Sequence, residues 1–177
     1  MQSRDTLRWQ SILYRGKVTS DPEEAHELMR GLPDDRALND LEAAFNYLNT
    51  RKDVEQGHVG SIGWRMSGGY SLQLAIHEPR LAACVVNYGA LPTDAMELQQ
   101  INAPVLGNFG ALDRGITPDD VNAFAKTMSG LGKRVDVKVY DGAGHAFENS
   151  TNATGYRPEA AADAWARSVA FLNKSLK

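Results

Sequence analysis

The sequence predicts an α/β protein, a three-layer sandwich in which helices cover a mainly parallel sheet. Two observations predict this fold. Short apolar runs typical of strands alternate with longer segments of helical periodicity along the 177 residues. Most of the short runs are apolar almost throughout, as expected of parallel strands that are buried on both faces. No repeat, low-complexity tract or linker divides the chain, so we expect one domain.

Two helices are predicted before the first strand. The segment 21–31 opens with Asp21 as a candidate N-cap and Pro22 at the first helical position, and acids follow in the first turn. The segment 34–51 places apolar residues at three- and four-residue spacing, which is typical of a helix with one apolar face. These apolar residues are Leu38, Leu41, Phe45 and Leu48.

The rest of the chain predicts four strands, with helices between and after them. The last strand alternates valines with polar residues, and this period of two indicates a strand at the edge of the sheet. Thr117 is the candidate cap of the helix that precedes it. The predicted strands are 57–63, 82–87, 104–109 and 135–140, and the predicted helices are 68–77, 118–131 and 158–176.

Composition narrows the possible partners and the location. Hydrophobic residues make up 42% and charged residues 23% of the chain, and the net charge of −3 is spread along it. This pattern does not favour nucleic acid or an anionic membrane as a partner. No apolar stretch approaches the about 20 residues of a membrane span. One cysteine, Cys84, allows no internal disulfide, and the polar N-terminus has no signal-peptide core, so we expect a cytoplasmic protein.

The most informative segment is VGSIGWRMSGGYSLQLAIHEP, residues 59–79, in which a strand runs through a tight turn into a helix. Small residues two before and two after Arg65 are typical of a nucleophile elbow, where the central residue lies in a strained turn. The amide of Met66 is then the candidate donor to a developing oxyanion. The alternatives at this point are a turn that only packs closely and a turn that cradles a phosphate. The segment has neither the dinucleotide-binding nor the P-loop glycine pattern.

Two further residues follow in the order that an α/β-hydrolase requires. Asp113 lies just beyond the strand 104–109, and His145 lies in a glycine-rich loop after the strand 135–140. Both therefore follow the carboxyl ends of parallel strands, where such sheets bind ligands. The other three histidines have no metal-ligand spacing, so we expect no metal site.

These motifs resemble those of bacterial dienelactone hydrolases (carboxymethylenebutenolidases). The resemblance runs from about Leu13 to the C-terminus. It implies a Cys-His-Asp triad that opens an enol-lactone or ester through an acyl-enzyme, without a cofactor. Asp113 would be the acid and His145 the base, and Tyr14 and Arg15 would match a segment whose arginine holds the substrate carboxylate. The motifs are IGW-x-M-x-GGYSLQLA, NAPVLG-x-FG, LDRGI, YDGAGHAFEN and GYRPEAAADAW.

The chain departs from the family pattern in three places. Arg65 occupies the nucleophile position, and a guanidinium stays protonated and cannot attack a carbonyl. Ser67 stands where the family usually has glycine. The resemblance also implies early strands and a second oxyanion-hole amide upstream of Leu13, so residues 1–177 are expected to form a family domain that lacks its first strands.

Three functional hypotheses follow. The first is a hydrolase of this lineage that is inactive or severely impaired, and Ser67 is a poor replacement nucleophile because bulky Arg65 lies two residues before it. The second is a non-catalytic protein that binds a carboxylate or another anion through Arg65 and the N-terminus of the elbow helix. A nucleotide-binding module is disfavoured, because no phosphate loop follows the first strand. An uncovered edge of the strand 57–63 further predicts a homodimer or a rearranged sheet.

Overall fold

The computed structural model describes residues 13–177 and divides into two compact units, one ending at Gln56 and the other beginning at Gly57. The first unit contains helices α1 (Pro22–Arg30) and α2 (Asp34–Thr50). The second unit contains the sheet. Its elements in chain order are β1 (Gly60–Trp64), α3 (Met66–His77), β2 (Ala83–Asn87), α4 (Ala95–Gln99), β3 (Val105–Gly110), α5 (Pro118–Gly130), β4 (Val135–Tyr140) and α6 (Pro158–Ser175).

Capping residues set the beginnings of α1 and α5 as the sequence predicts. An oxygen of Asp21 accepts a hydrogen bond of 2.8 Å from the amide of Glu23. Thr117 and Asp120 form a reciprocal capping box, in which each side chain accepts from the other residue's backbone amide. Each cap satisfies amide groups that a helix leaves without intrahelical partners.

The four strands form one parallel sheet in the order β1-β2-β3-β4. Gly60 pairs with Ala83, and Val105 pairs with Val135. In this register the carboxyl ends of the parallel strands lie along one edge of the sheet. β4 lies at an edge and alternates half-buried with exposed residues along most of its length, as its period of two predicts. β2 and β3 are buried throughout. The predicted fold class is therefore confirmed.

Helices cover both faces of this sheet. The hydroxyl of Ser71 in α3 donates to that of Ser61 in β1 over 2.8 Å, so α3 lies on the face to which Ser61 points. A side chain at the preceding Gly60 would point instead to Leu172 of α6. Successive residues of a strand face opposite sides, so α3 and α6 form the two outer layers.

A buried polar network, which the sequence analysis missed, joins the strands near their carboxyl ends. The side-chain Nδ2 atom of Asn108 donates to the side-chain oxygen of Asn87 at 2.8 Å and to the hydroxyl of Ser168 at 3.2 Å. Asn87 donates in turn to the backbone oxygen of Gly63 at 3.2 Å, and Arg167 donates to Asn108 at 2.6 Å. Because these buried groups satisfy one another, β1, β2, β3 and α6 are held in one arrangement beneath the site.

Two local differences from the sequence-based expectations have simple causes. Helix α4 was not predicted, because five residues are too few to show helical periodicity; Asp94 caps it, and Leu98 is buried. Helix α3 begins at Met66, two residues earlier than predicted, because Ser67 and Gly68 are already in the first helical turn. No helix within residues 13–177 combines the length and apolar composition that a bilayer crossing requires.

Candidate functional site

The turn between β1 and α3 places Arg65 in a strained backbone conformation. Its φ is 55° and its ψ is −127°, a region that non-glycine residues rarely adopt. Its amide donates to the backbone oxygen of Asn87 at 3.0 Å, and its carbonyl accepts from the amide of Gly68 at 2.9 Å. The sheet on one side and the first turn of α3 on the other therefore hold the strain in place. This is the conformation that the motif around residue 65 predicts.

Glycine at position 63 is a steric requirement of this turn. A Cβ atom at Gly63 would lie 1.9 Å from the backbone oxygen of Ser67, far inside contact distance. The neighbour is backbone of α3, so it cannot move aside as a flexible side chain could. The close approach explains the small residue two positions before Arg65.

The hydroxyl of Ser67 is engaged with the backbone of the same turn. It accepts a hydrogen bond from the amide of Trp64 at 3.0 Å and donates to the carbonyl of Trp64 at 2.8 Å. Its proton therefore goes to a carbonyl oxygen and not to a basic side chain. These contacts argue against Ser67 as a replacement nucleophile.

Asp113 and His145 meet above the carboxyl end of β3. The Nδ1 atom of His145 lies 2.7 Å from Oδ2 of Asp113, whose side chain is only 2% exposed. The other oxygen of Asp113 accepts from the amides of Gly115 at 2.9 Å and Ile116 at 3.1 Å. A carboxylate only accepts, so Nδ1 is the donor in this contact, and Nε2 is the ring nitrogen that remains to take a proton.

Tyr88 supports the imidazole from the end of β2. Its ring packs edge-on against that of His145 with 5.5 Å between centroids, and against that of Phe147 at 5.4 Å. Burial and the charge of Glu148 raise the pKa of the Tyr88 phenol, while the charge of Arg65 acts in the opposite direction. The phenol therefore stays protonated, and Tyr88 acts on His145 by packing.

An open cavity of about 600 Å³ lies beside the elbow. Arg65 and Tyr88 line it together with the aromatic side chains of Trp64, Tyr156 and Trp165. Trp64 and Trp165 are stacked with ring centroids 6.4 Å apart and planes 26° apart. One wall therefore comes from the end of β1 and the other from α6 and the loop that precedes it.

Glu148 connects the histidine loop to the elbow. Its Oε2 accepts a hydrogen bond of 3.0 Å from the indole nitrogen of Trp64, the residue just before Arg65. Its other oxygen is buried and accepts no hydrogen bond from the part of the chain that the structure describes. Burial raises the pKa of the Glu148 carboxyl, and the bond from Trp64 offsets part of that rise.

This raised pKa predicts a pH-dependent effect of Glu148→Gln on stability. Folding shifts the carboxyl toward its neutral form relative to the unfolded chain, so its contribution to stability is fully present below pH about 4.5 and is lost as the pH rises through the folded-state pKa. Glutamine can still accept from Trp64 but does not titrate. The free energy of unfolding of the variant should therefore rise relative to the parent between pH 4.5 and neutrality. Urea unfolding across this range tests it, and a pH-independent difference would contradict it.

The guanidinium of Arg65 is exposed and makes no ion pair or side-chain hydrogen bond with any residue of 13–177. Arg65 does not form an ion pair with Asp113. His145 and two backbone amides already occupy that carboxylate. Within residues 13–177, a positive charge without a partner thus lines the cavity.

The structure brings some of the predicted site residues together. It does not test the roles predicted for the others. Asp113 and His145 are in direct contact, and Tyr88 lies against His145 and lines the cavity with Arg65. Met66 is the first residue of α3, and its role as an oxyanion donor stays a prediction. Tyr14 and Arg15 lie in a turn of the first unit, and their role as a carboxylate subsite also stays a prediction.

The sequence analysis missed several residues of this site. Tyr88, Tyr156 and Trp165 carry no motif and reach the cavity only through the fold. Glu148 did carry a signal, since it is an acid three residues after the candidate base in the otherwise apolar HAFEN segment.

The chain is similar in sequence to known proteins of one family. Residues 11–176 match the sequence profile of the dienelactone hydrolase family. A candidate carboxymethylenebutenolidase of Methylorubrum extorquens is 30% identical over 159 residues, which cover 85% of this chain and 54% of that protein. Another from Saccharolobus solfataricus is 33% identical, covering 85% of this chain and 56% of that protein. The chain thus spans about half the length of these relatives.

A solved structure shares the fold of most of the chain. The crystal structure of a candidate dienelactone hydrolase from Klebsiella pneumoniae superposes with a TM-score of 0.79 at 27% identity. The superposition covers 91% of this chain and 72% of that one.

Proposed function

Because the chain belongs to the dienelactone hydrolase family, we propose that the second unit carries a family-type site for ester and lactone hydrolysis whose nucleophile is replaced by Arg65. One observation carries the proposal. The Asp113–His145 pair is assembled at 2.7 Å with an accessible imidazole, while the strained position of the elbow holds a guanidinium. In this proposal His145 is the base, and the group that it would activate is missing.

The chemistry of each position explains why this arrangement blocks an acyl-enzyme. In a triad, the acid fixes the imidazole with its Nδ1 proton inward, and Nε2 takes the proton of the attacking group. A thiol at position 65 would give up that proton and form a bond to the carbonyl carbon. The guanidinium of Arg65 has no lone pair available for attack on a carbonyl carbon. We therefore propose that this chain is inactive or severely impaired as a hydrolase.

No replacement nucleophile is supported among the described residues around the elbow. The hydroxyl of Ser67 donates to a carbonyl in its own turn. Cys84 is fully buried in β2, and burial raises the pKa of its thiol to about 11, so almost no thiolate forms at neutral pH.

The substrate class proposed for the family site is a small ester or lactone, and Tyr14 and Arg15 are the proposed contacts to a substrate carboxylate. We place Met66 as the proposed oxyanion donor, because its position directly after Arg65 opens α3. The chain spans only about half the length of the relatives, so these roles are proposed for the whole protein by analogy. No metal or cofactor takes part in the proposed chemistry.

A specific observation favours a second candidate function, the binding of a carboxylate without catalysis. Arg65 lines a cavity, is exposed, and has no acidic partner among residues 13–177. Arginine binds carboxylates through two parallel N–H···O bonds, so a small carboxylate ligand is the simplest partner for it.

The experiment that tests the primary proposal is the restoration of a nucleophile by Arg65→Cys. Activity toward an aryl ester or an enol-lactone should appear in this variant and be absent from the parent. Equal rates in both proteins would contradict it.

We also propose that two copies of the chain associate through β1. Within the part of the chain that the structure describes, β1 pairs with β2 alone, so one row of its backbone groups faces no strand. Such an edge can pair with a second copy. Sedimentation velocity over a range of concentrations should show a dimer, and a monomer at every concentration would overturn this proposal.

A further inference from the structure

The cavity beside Arg65 has walls of unusual composition for a surface depression. Four aromatic side chains line it: Trp64, Tyr88, Tyr156 and Trp165. The side chain of Trp165 is 46% exposed although tryptophan is among the most costly residues to leave in water. An exposed indole beside a cation that no described residue pairs is the combination expected of a ligand site.

The rings indicate what kind of ligand body fits. Trp64 and Trp165 stack on each other at 6.4 Å, which fixes the orientation of the partly exposed Trp165 ring. Glu148 accepts a hydrogen bond from the Trp64 indole at 3.0 Å, so Trp64 has a partner that positions its ring without a ligand. A preformed aromatic wall favours a planar ring, which gains stacking contacts that a saturated ring of equal size does not.

The charges indicate what group the ligand carries. Arg65 supplies a full positive charge, which disfavours a cationic guest in spite of the aromatic wall. Glu148 is the one acid among the residues that line the cavity, and its charge opposes a dianion more than a monoanion. The two oxygens of a planar monocarboxylate can both accept hydrogen bonds from Arg65. Its single negative charge is repelled by Glu148 less than two charges would be.

We propose that this cavity binds a small aromatic monocarboxylate, with the carboxylate on Arg65 and the ring against Trp165. The proposal rests on the second candidate function above and adds the ligand class. It assigns the nucleophile position of the elbow a role as the carboxylate anchor, with Trp165 as the specificity-determining residue.

Isothermal titration calorimetry with four probes tests the two halves of the proposal separately. Benzoate carries both the ring and the charge, benzamide only the ring, cyclohexanecarboxylate the charge with a saturated ring, and acetate only the charge. We expect benzoate to bind more tightly than each of the others. Charge-assisted hydrogen bonds to arginine should separate benzoate from benzamide by roughly ten- to a hundredfold, and ring stacking should separate it from cyclohexanecarboxylate by roughly two- to tenfold.

Variants assign each preference to a side chain. Arg65→Gln should reduce the affinity for benzoate to that for benzamide, and Trp165→Leu should reduce it to that for cyclohexanecarboxylate. Glu148→Gln keeps an acceptor for Trp64 and removes a negative charge, so it should tighten benzoate binding. Lys126→Gln removes a positive charge from the exposed side of α5, away from the cavity lining, and should change nothing.

The outcomes distinguish this inference from the functions on which it builds. Equal affinities for benzoate and acetate, both lost in Arg65→Gln, would leave a carboxylate site and overturn the aromatic preference. Benzoate binding that is unaffected by Arg65→Gln, or no binding of any probe, would overturn the assignment of Arg65 as anchor. Neither result bears on the gain of hydrolysis expected from Arg65→Cys, which tests the hydrolase proposal alone.

Discussion

Replacing Arg65 by cysteine is expected to give the chain an aryl-ester hydrolase activity that the parent lacks. The variant places a thiol on the strained turn, where the neutral imidazole of His145 can take its proton and Asp113 stabilises the imidazolium that forms. Proton transfer by a positioned base contributes about a hundred- to ten-thousandfold in other enzymes. We expect an increase in kcat/KM over the parent in that range, measured by release of nitrophenol from nitrophenyl acetate.

Matched variants separate the thiol from the loss of the arginine. Arg65→Ala removes the same guanidinium without adding a nucleophile and should stay at the parent's rate. Adding Asp113→Asn to the Arg65→Cys variant keeps a hydrogen-bonding side chain but stabilises the wrong imidazole tautomer, so most of the gain should be lost. A gain that persists with Asp113→Asn would contradict the role given to this pair.

Among glycine-to-alanine substitutions in the elbow, Gly63→Ala is expected to cause the largest loss of stability. The new Cβ would lie 1.9 Å from the backbone oxygen of Ser67, so β1 and the first turn of α3 must separate. We expect the free energy of unfolding to fall by about 3 kcal/mol or more, beyond the usual range for one substitution. Urea unfolding followed by circular dichroism measures this loss. A variant that does not fold at all would also show that the loss of stability is large.

Two other glycines form a graded control series. At Gly68 a Cβ would lie 3.0 Å from the backbone oxygen of Asn87, so Gly68→Ala should have an intermediate effect. At Gly130, the last residue of α5, a Cβ meets nothing within 4 Å, and alanine should stabilise the chain by about 0.4–1 kcal/mol. If Gly63→Ala and Gly130→Ala unfold at the same urea concentration, the tight turn described here is wrong.

Much of the fold could be predicted because the second unit obeys local rules. Each strand was predicted to within three residues, since short apolar runs bounded by turns have few other readings. The caps at Asp21 and Thr117 are chemical signals that lie next to the helices they begin. The network of Asn87 and Asn108 could not be predicted, because two asparagines in buried strands are explained only by partners from other elements.

The candidate site divides in the same way. Asp113 and His145 were singled out because both follow the carboxyl ends of parallel strands in the order of an α/β-hydrolase, and the structure places them in contact. That Arg65 has no side-chain partner in the described part of the chain could not be predicted, since it depends on which groups occupy Asp113. The aromatic cavity also could not be predicted from the sequence. Trp64 and Trp165 are about a hundred residues apart in the sequence and meet only through the packing of α6 on the sheet.

The most direct test of the account is the pH dependence of thiol alkylation in the Arg65→Cys variant. Iodoacetamide reports the thiolate at position 65 without a substrate or an oxyanion hole, and Cys84 is buried with its pKa raised to about 11, so it contributes little. We expect a midpoint well below the about 8.5 of a free thiol, because the imidazolium of His145 stabilises the thiolate. The midpoint should rise toward about 8.5 when His145→Ala is added, and the N-terminus of α3 accounts for any lowering that remains. The same midpoint with and without His145 would show that the histidine does not serve the elbow, and would contradict the account.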